Sequence, residues 1–203
     1  MVCDSEFTTI IKERFVEPRM DGSELSKLFS VNFIDAGQPT KQALDQLESR
    51  IYQEIPKCDA VLLLDFGHGL MQSRLRQIVQ ETAPFLALNC QTNSNNHGFN
   101  IISRQYQRAD AFTLDEQEIM LSVARRHVDF AQELSLLKNS FRSRYAWLTR
   151  GAVQTIGIAD GESACLCPPL ETDVVDTIGA GDAFFSVAAL AAVRRLPVDL
   201  ATF

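Results

Sequence analysis

The sequence contains no run of basic residues and no segment in which basic and aromatic residues alternate. Its 19 lysines and arginines are outnumbered by 26 aspartates and glutamates, which gives a formal net charge of -7. Surfaces that bind nucleic acid concentrate positive charge in order to neutralise phosphates. We therefore expect no nucleic-acid partner, and any bound phosphate should be held by a local site.

Paired cysteines and clustered histidines are missing too. The 5 cysteines are odd in number and include no C-x-x-C pair, which is typical of free thiols in a cytoplasmic protein. The 3 histidines are far apart and match no spacing used by zinc ligands. These absences predict a cytoplasmic location and no structural zinc site.

Long apolar runs are also lacking. The longest covers residues 183–193, whereas a membrane-spanning helix needs roughly 18 or more apolar residues. The N-terminus carries charged residues and no apolar signal-peptide segment. We therefore expect no membrane association.

The residues that are present can form one large core. The chain has 203 residues, of which 46% are hydrophobic, and this is enough for one domain with an appendage. Residues 7–16 and 27–34 are rich in β-branched and aromatic residues and flank a turn-like segment at 18–23, so they predict a β-hairpin. We assign residues 1–36 to this hairpin and residues 37–203 to an α/β core.

Strand and helix patterns alternate through the α/β core. Short apolar runs predict buried strands at residues 60–64, 85–88, 109–114 and 145–148. Apolar residues at helical spacing predict helices over residues 43–55, around 75–79 and after residue 115. The remaining patterns predict a polar loop at 89–96, an antiparallel strand pair at 153–158 and 163–166, and a buried apolar helix at 183–196. The alternation predicts an α/β fold with a mostly parallel sheet flanked by helices.

A glycine-rich turn precedes the last predicted helix. Gly179 and Gly181 permit unusual backbone geometry, and Ala180 adds little bulk, so successive N–H groups can converge on one oxyanion. The positive end of the helix dipole would stabilise charge there. Asp182 could accept the proton of an attacking hydroxyl. A tight turn with a helix-capping aspartate would explain the same residues, so both interpretations remain open at this stage.

The nine residues from 176 to 184, D-T-I-G-A-G-D-A-F, resemble the D-T-x-G-A-G-D signature of the ribokinase (PfkB) family of carbohydrate kinases. This resemblance implies a ribokinase-like fold and magnesium-bound ATP as the phosphoryl donor. It also implies that the G-A-G amides form an anion hole and that Asp182 is the catalytic base. Asp176 and Thr177 would then organise the phosphates and the metal.

Two shorter segments resemble nucleotide-site elements of the same family. Thr149, Arg150 and Gly151 follow a predicted strand as the family's nucleotide-contacting turn does. The segment T-L-D-E-Q-E at residues 113–118 is similar to the family's T-P-N-E-x-E element. The resemblance implies that Glu118 helps to hold Mg²⁺, and that Asp115, where the family has asparagine, holds it through water.

Two further segments resemble the heptose-7-phosphate kinase branch of the family. The sequence D-F-G-H-G, which begins at Asp65, is similar to its D-Y-G-K-G loop, and the hairpin is similar to its β-lid. That lid covers the acceptor and often pairs between subunits. The resemblance implies a sugar or sugar-phosphate acceptor contacted by Asp65, Lys12 and Arg14, a polar role for Asn89, and a homodimer formed through the lid.

The sequence also departs from the family pattern. No two glycines are adjacent, so the family's Gly-Gly acceptor motif is missing, and the chain ends one helix after Asp182. The chain therefore looks truncated at both ends relative to the family. The leading hypothesis is an ATP-dependent sugar or sugar-phosphate kinase. The alternatives are a non-catalytic remnant that acts as a binding or regulatory module, and one module of a longer polypeptide.

Overall fold

Two separate β-sheets are connected by a chain that alternates between strands and helices. This computed structural model describes residues 2–4, 6–18, 25–34, 37–92, 98–170, 174 and 177–203, with the backbone alone for residues 25–27. In chain order the elements are β1 (Ile11–Pro18), β2 (Leu25–Phe33), α1 (Lys41–Glu54), a short 3-10 helix (Ile55–Lys57), β3 (Val61–Asp65), α2 (Ser73–Thr82), β4 (Leu86–Cys90), α3 (Ile102–Gln105), β5 (Ala111–Asp115), α4 (Glu116–Val123), α5 (Phe130–Phe141), β6 (Tyr145–Thr149), β7 (Thr155–Ala159), β8 (Cys165–Cys167), α6 (Ala180–Val193) and α7 (Val198–Thr202).

The larger sheet has the strand order β3-β4-β5-β6-β7-β8. Strands β3 to β6 pair in parallel, and β7 and β8 pair antiparallel at one side. Each parallel strand is reached through a segment that contains a helix, as parallel pairing requires. The prediction of a mostly parallel sheet flanked by helices is confirmed.

The core lies on both faces of this sheet. Along β6, Ala146 and Leu148 pack in one cluster with Phe112 and Phe141, because successive side chains of a strand point to opposite faces. Tyr145 and Trp147 pack on the other face, in a cluster that includes Phe185 of α6 and small residues of α6 and α7. The small residues Ala188, Ala189 and Ala192 let α6 lie close to the sheet.

Strands β1 and β2 form the predicted antiparallel hairpin. Directly opposed pairs place Lys12 and Arg14 of β1 on one face. The opposite face carries Glu13 and five apolar residues. These five, which we call the hairpin's apolar face, are Ile11, Phe15, Phe29, Val31 and Phe33. Two strands cannot bury this face by themselves, and all five residues remain exposed. The predicted turn beyond Pro18 and the boundary at residue 36 lie outside the described residues.

Three sequence predictions need correction. The sequence predicted one helix after residue 115, but the structure has α4 and α5, because Ala124 adopts φ 54° and ends α4 early. The predicted loop at 89–96 begins later, since Asn89 still belongs to β4. Helix α6 is buried on one face only: Val187 and Leu190 are 70% and 58% exposed, because only one side of the helix meets the sheet.

No helix within the described ranges combines the length and the apolar character needed to cross a membrane.

Gly157 of β7 lies where α7 crosses the sheet. A Cβ atom at this position would lie 2.0 Å from Thr202 Oγ1 and 3.1 Å from Trp147 Cδ1. The Thr202 hydroxyl is fixed there, because it accepts a hydrogen bond from Trp147 Nε1 at 3.0 Å and donates one to the Val198 carbonyl. The absence of a side chain at Gly157 therefore allows α7 to pack on β7.

We predict that Gly157→Ala lowers the free energy of unfolding by about 1–3 kcal/mol, because overpacking displaces Thr202 and α7. Urea unfolding measures this cost. In a Thr202→Ala background the same substitution should cost less, since the nearest atom is gone. An equal cost in both backgrounds would contradict this explanation.

Candidate active site

A cavity of about 420 Å³ lies at the carboxyl edge of the parallel strands. Six separate parts of the chain line it: the hairpin, the segment after β3, the end of β4 with the segment after it, the end of β5 with the start of α4, the end of β6, and the start of α6. Parallel strands all end at the same edge of a sheet, so residues far apart in sequence meet there. Among the predicted site residues, the cavity brings together Lys12, Arg14, Asn89, Asp115, Glu118, Thr149, Thr177, Gly179, Gly181 and Asp182.

The two glycines at the start of α6 have different roles in the fold. Gly179 has φ 81°, a left-handed conformation that strains residues with side chains. Gly181 has no positive φ, and a Cβ added there would meet no atom within 4 Å. The backbone therefore requires glycine at 179. At 181 the missing side chain keeps the cavity open beside the helix.

The first amides of α6 can hold an anion. The N–H of Ala180 donates to the Thr177 carbonyl at 3.2 Å, and that of Ala183 donates to the Gly179 carbonyl at 2.9 Å. Within the described part of the chain, the N–H groups of Gly181 and Asp182 have no acceptor. Unpaired amides at a helix start, together with the helix dipole, favour negative charge. Ala180 itself does not line the cavity.

Asp182 occupies the first turn of α6 but does not cap the helix. No side chain caps α6, whose N-cap residue is Gly179. The Asp182 Oδ1 atom instead accepts a hydrogen bond from Gln91 Nε2 at 2.6 Å. The carboxylate is therefore directed into the cavity and away from the amides of its own helix.

Two carboxylates stand close together where β5 meets α4. Asp115 caps α4 by accepting from the Glu118 N–H at 2.7 Å, and Glu118 accepts from the Asp115 N–H at 2.9 Å. The second Glu118 oxygen accepts from the Thr92 N–H at 2.9 Å. Burial, and next the negative charge of Asp115, raise the pKa of Glu118 to about 8, and burial also raises the pKa of Asp115.

This acidic pair fits a magnesium ion that is shared with substrate phosphates. No group of three or more histidine, cysteine, aspartate or glutamate residues in the described ranges could hold a metal ion. Mg²⁺ seldom uses such a cage, since it is usually bound by one or two carboxylates, waters and phosphate oxygens. The two carboxylates on the cavity wall, Asp115 and Glu118, would fit the protein's part of that ligand set.

Polar side chains complete the walls of the cavity. Asn89 is 7% exposed, and its Nδ2 donates to Thr113 Oγ1 at 2.8 Å. Its Oδ1 has no partner within the described residues, although buried amide oxygens are normally bonded. Asn89 lines the cavity, but this oxygen itself is buried. Thr149 and Thr177 supply hydroxyl groups nearby.

The hairpin contributes positive charge to the cavity. Lys12 and Arg14 lie on the hairpin face opposite to the apolar one, and both line the cavity. The Lys12 ammonium lies 5.7 Å from the centre of the Phe66 ring. Burial, and next the positive charge of Arg14, lower the pKa of Lys12, whereas the negative charge of Asp182 raises it. These two cations therefore lie near the acids of the core.

Several predicted residues lie elsewhere. Neither Arg150 nor Gly151 lines the cavity. The Arg150 guanidinium pairs with Glu116 and lies over Phe130, with its Cζ 4.7 Å from the ring centre, and Gly151 forms a turn with φ 51°. Asp65 is buried outside the cavity, where its carboxylate accepts from other protein groups. Asp176 lies outside the described residues.

Gln91 and Thr92 line the cavity but were not assigned a role from the sequence. Their position directly after a buried strand could have indicated a role, because functional groups collect at strand ends in parallel sheets. No local pattern distinguished them from their neighbour Asn89, because their contacts are with residues distant along the chain.

The raised pKa of Glu118 makes stability depend on pH. A glutamate whose pKa is higher in the folded chain than in the unfolded chain stabilises the fold while it is protonated. This contribution is complete below the ordinary pKa of 4.5 and is lost as the pH rises through about 8. In the absence of divalent cations, we predict that the free energy of unfolding decreases as the pH rises over this interval. Glu118→Gln should remove much of this decrease. Urea unfolding at about pH 5 and about pH 9 tests this. The same pH dependence in both proteins would contradict it.

No protein-family model and no curated protein sequence matches this chain. Solved structures share its fold. Phosphofructokinase-2 from Escherichia coli in complex with substrates and products has a TM-score of 0.68 and 12% identity, over 93% of this chain and 60% of that one. The tetrameric inhibited form of the same enzyme has a TM-score of 0.63 and 14% identity, over 86% and 58%. A proposed ribokinase from Agrobacterium tumefaciens has a TM-score of 0.62 and 15% identity, over 97% and 59%.

The chain thus spans less than two thirds of the length of each of these structures. At such low identities the likeness concerns the fold. This chain has a ribokinase-like α/β fold: a mostly parallel six-stranded sheet flanked by helices, with a separate two-stranded hairpin.

Proposed function

We propose that this chain carries the phosphoryl-transfer site of an ATP-dependent carbohydrate kinase, which moves the γ-phosphoryl group of ATP to a hydroxyl of a sugar or sugar phosphate. One observation carries the proposal. A single cavity combines unpaired helix amides, an aspartate that does not cap its helix, a pair of carboxylates and two cations. Phosphoryl transfer needs positioning, neutralised charge and a base, and these groups can provide all three.

The start of α6 would hold the phosphates of the nucleotide. The amides of Gly181 and Asp182, at the positive end of the helix, would stabilise the charge that develops on the transferring group. Thr149 and Thr177 can donate hydroxyl hydrogens to phosphate oxygens. The resemblance adds Asp176 and the turn at Arg150 and Gly151 as further nucleotide contacts.

Glu118 and Asp115 would hold Mg²⁺ together with the phosphates. A bound Mg²⁺ supplies charge neutralisation for the phosphate oxygens. The carboxylates must be ionised to bind it, so binding works against the burial that raises the pKa of Glu118. The hydrogen bonds from the Thr92 and Asp115 N–H groups hold the Glu118 carboxylate in one orientation for this purpose.

Asp182 would act as the general base. As the acceptor hydroxyl oxygen attacks the γ-phosphorus, the new oxygen–phosphorus bond forms and the bond to the bridging oxygen of ADP breaks. The hydroxyl proton passes to the Asp182 carboxylate. One carboxylate oxygen already accepts from Gln91, so the other is the one available for the proton.

The acceptor would lie between the hairpin and the strand ends. Lys12 and Arg14 can pair with a phosphate on the acceptor, as expected for a substrate of the heptose-7-phosphate type. A sugar hydroxyl that reached the buried, unpartnered Oδ1 of Asn89 would give it a hydrogen-bond donor. In this structure Asp65 would support the neighbouring loop, because its carboxylate accepts from the Gly67 N–H at 2.9 Å.

Turnover and nucleotide binding test the proposal separately. We predict that Asp182→Asn lowers kcat at least about 100-fold in an ADP-release assay with a panel of sugar phosphates, because the base is lost. Asp199→Asn is the matched control, since Asp199 also lies in the first turn of a helix but does not line the cavity. Equal activities of the wild type and Asp182→Asn would contradict the catalytic assignment.

Calorimetric titration with Mg-ATP forms the binding arm of this experiment. We expect Gly181→Ala to weaken binding about tenfold, or ~1.4 kcal/mol, and Gly181→Val to weaken it more, because their side chains fill the space beside the amides. Gly181→Ala should not lower the melting temperature, since alanine favours helices and meets no atom there. Unchanged binding would exclude this anion site. Binding with no turnover on any acceptor would favour the non-catalytic module.

The hairpin's apolar face would be covered by a second copy of the chain. Its five apolar residues are exposed, and the Phe15 and Phe29 rings stack with centroids 4.4 Å apart. A two-fold interface joins the same surface of both subunits, so one apolar strip can cover another. The tetrameric form of the Escherichia coli enzyme is consistent with assembly in this fold.

We predict that the wild type sediments as a dimer and that Phe29→Ser shifts it toward the monomer, because a polar side chain weakens the apolar contact. Sedimentation velocity over a range of concentrations measures this. Leu166→Ser, a similarly exposed apolar position on β8, should leave the dimer intact. A monomeric wild type would contradict the proposal.

A further inference from the structure

The side chain of Gln91 joins the end of β4 to the start of α6. Its Nε2 lies 2.6 Å from Asp182 Oδ1, and both residues line the cavity. They are 91 positions apart in the sequence, so the contact exists only because the fold brings two distant segments together. No other described side chain donates a hydrogen bond to the Asp182 carboxylate.

The chemistry of the pair defines the orientation of the amide. An ionised carboxylate can only accept hydrogen bonds, so only the NH₂ end of Gln91 can face it. An amide brings no net charge, whereas a lysine or arginine at this place would form an ion pair with Asp182 and weaken it as a base. Gln91 can therefore hold one oxygen of the carboxylate without neutralising it.

The backbone of Gln91 is itself held by buried groups. Its N–H donates to the Asp65 carbonyl at 2.9 Å, and its carbonyl accepts from Asn100 Nδ2 at 3.2 Å. The same Asn100 amide donates to the Asp65 carbonyl at 2.9 Å, and Asn100 is 3% exposed. The ends of β3 and β4 are thus tied together directly below the Gln91 side chain.

Asp65 strengthens this support. Its carboxylate accepts from Tyr106 Oη at 2.7 Å and from Arg76 Nε at 3.1 Å, and it is 3% exposed. A buried carboxylate with charged and neutral donors holds its backbone in one place. The Asp65 carbonyl that receives the Gln91 N–H is therefore part of a rigid strand end.

We propose that Gln91 is a positioning residue that holds the carboxylate of Asp182 in its reactive orientation. The inference rests on the proposed function, in which Asp182 accepts the acceptor's proton. With Oδ1 bound by Gln91, rotation of the carboxylate is restricted and Oδ2 faces the acceptor hydroxyl. A general base must lie within hydrogen-bond reach of the proton that it accepts, so loss of this orientation reduces the rate of transfer more than the binding of substrates.

Kinetics of Gln91→Met test the role, because methionine has a similar length and no donor. We expect kcat to fall about 10- to 100-fold while KM for ATP changes less than about twofold. Gln77→Met is the matched control, since Gln77 makes a similar amide-to-carboxylate bond, 2.7 Å to Glu81, on the outer surface of α2. It should leave kcat unchanged.

The double variant separates positioning from a general structural role. If Gln91 acts through Asp182, adding Gln91→Met to Asp182→Asn should lower kcat less than about twofold further. A further loss as large as that in the wild-type background would overturn the proposal. The same melting temperature for Gln91→Met and the wild type would show that the rate loss does not come from unfolding.

A spectroscopic measurement tests the contact without any turnover. The side-chain NH₂ signals of Gln91 in a ¹⁵N-labelled protein are assigned by their loss in Gln91→Met. They should shift in Asp182→Asn, because an amide replaces the charged acceptor, and should not shift in Asp199→Asn. Signals unaffected by Asp182→Asn would overturn the proposal. A wild type without turnover would contradict the proposed function, and the pairing of Gln91 with Asp182 would then be decided by these signals alone.

Discussion

Parallel pairing of β3 to β6 is the constraint on which the candidate site depends. It brings the carboxyl ends of four strands to one edge, where Asn89, Asp115 and Thr149 meet although they are far apart in sequence. Helix α6 adds its N-terminus to the same edge because its small residues pack on the face that carries Tyr145 and Trp147. If α6 shifted along the sheet, its amides and Asp182 would leave the cavity together.

The electrostatic arrangement of the site requires contributions from both sheets. The large sheet and α6 bring three acids to the cavity, Asp115, Glu118 and Asp182, and each of the other two raises the pKa of Glu118. The side-chain cations that line the same cavity, Lys12 and Arg14, come from the hairpin. Charges interact strongly in partly buried surroundings. On the proposed function, the hairpin's cations and the α6 amides are the described groups that would offset the charge of a phosphate beside these acids.

The sequence was sufficient for the features that depend on local patterns. Apolar runs and helical spacing predicted the hairpin, the four parallel strands and α6 to within a few residues. Helix α5 was missed although Phe130, Leu134, Leu137 and Phe141 have helical spacing, because the alanine that ends α4 gives no stop signal. The partial exposure of α6 could not be predicted, since its composition does not reveal which faces meet the sheet.

Contacts between side chains that are distant in sequence could not be predicted either. The motif placed Arg150 beside the nucleotide, but its guanidinium is paired with Glu116 and stacked on Phe130. Asp65 likewise lies at a strand end, as predicted, with its carboxylate turned to Tyr106 and Arg76. Both pairings depend on residues brought close only by folding, so no local pattern could have predicted them.

The remaining question from the sequence was whether Asp182 merely caps a helix, and the other helix starts of the same chain answer it. Asp115 and Asp129 are N-cap residues whose carboxylates accept from helix amides, at 2.7 Å for α4 and 3.1 Å for α5. Asp182 is not the N-cap of α6, and its carboxylate accepts from Gln91 across the cavity. A carboxylate beside unpaired amides repels an anion that those amides bind. It is therefore better suited to a second reactant that carries a proton.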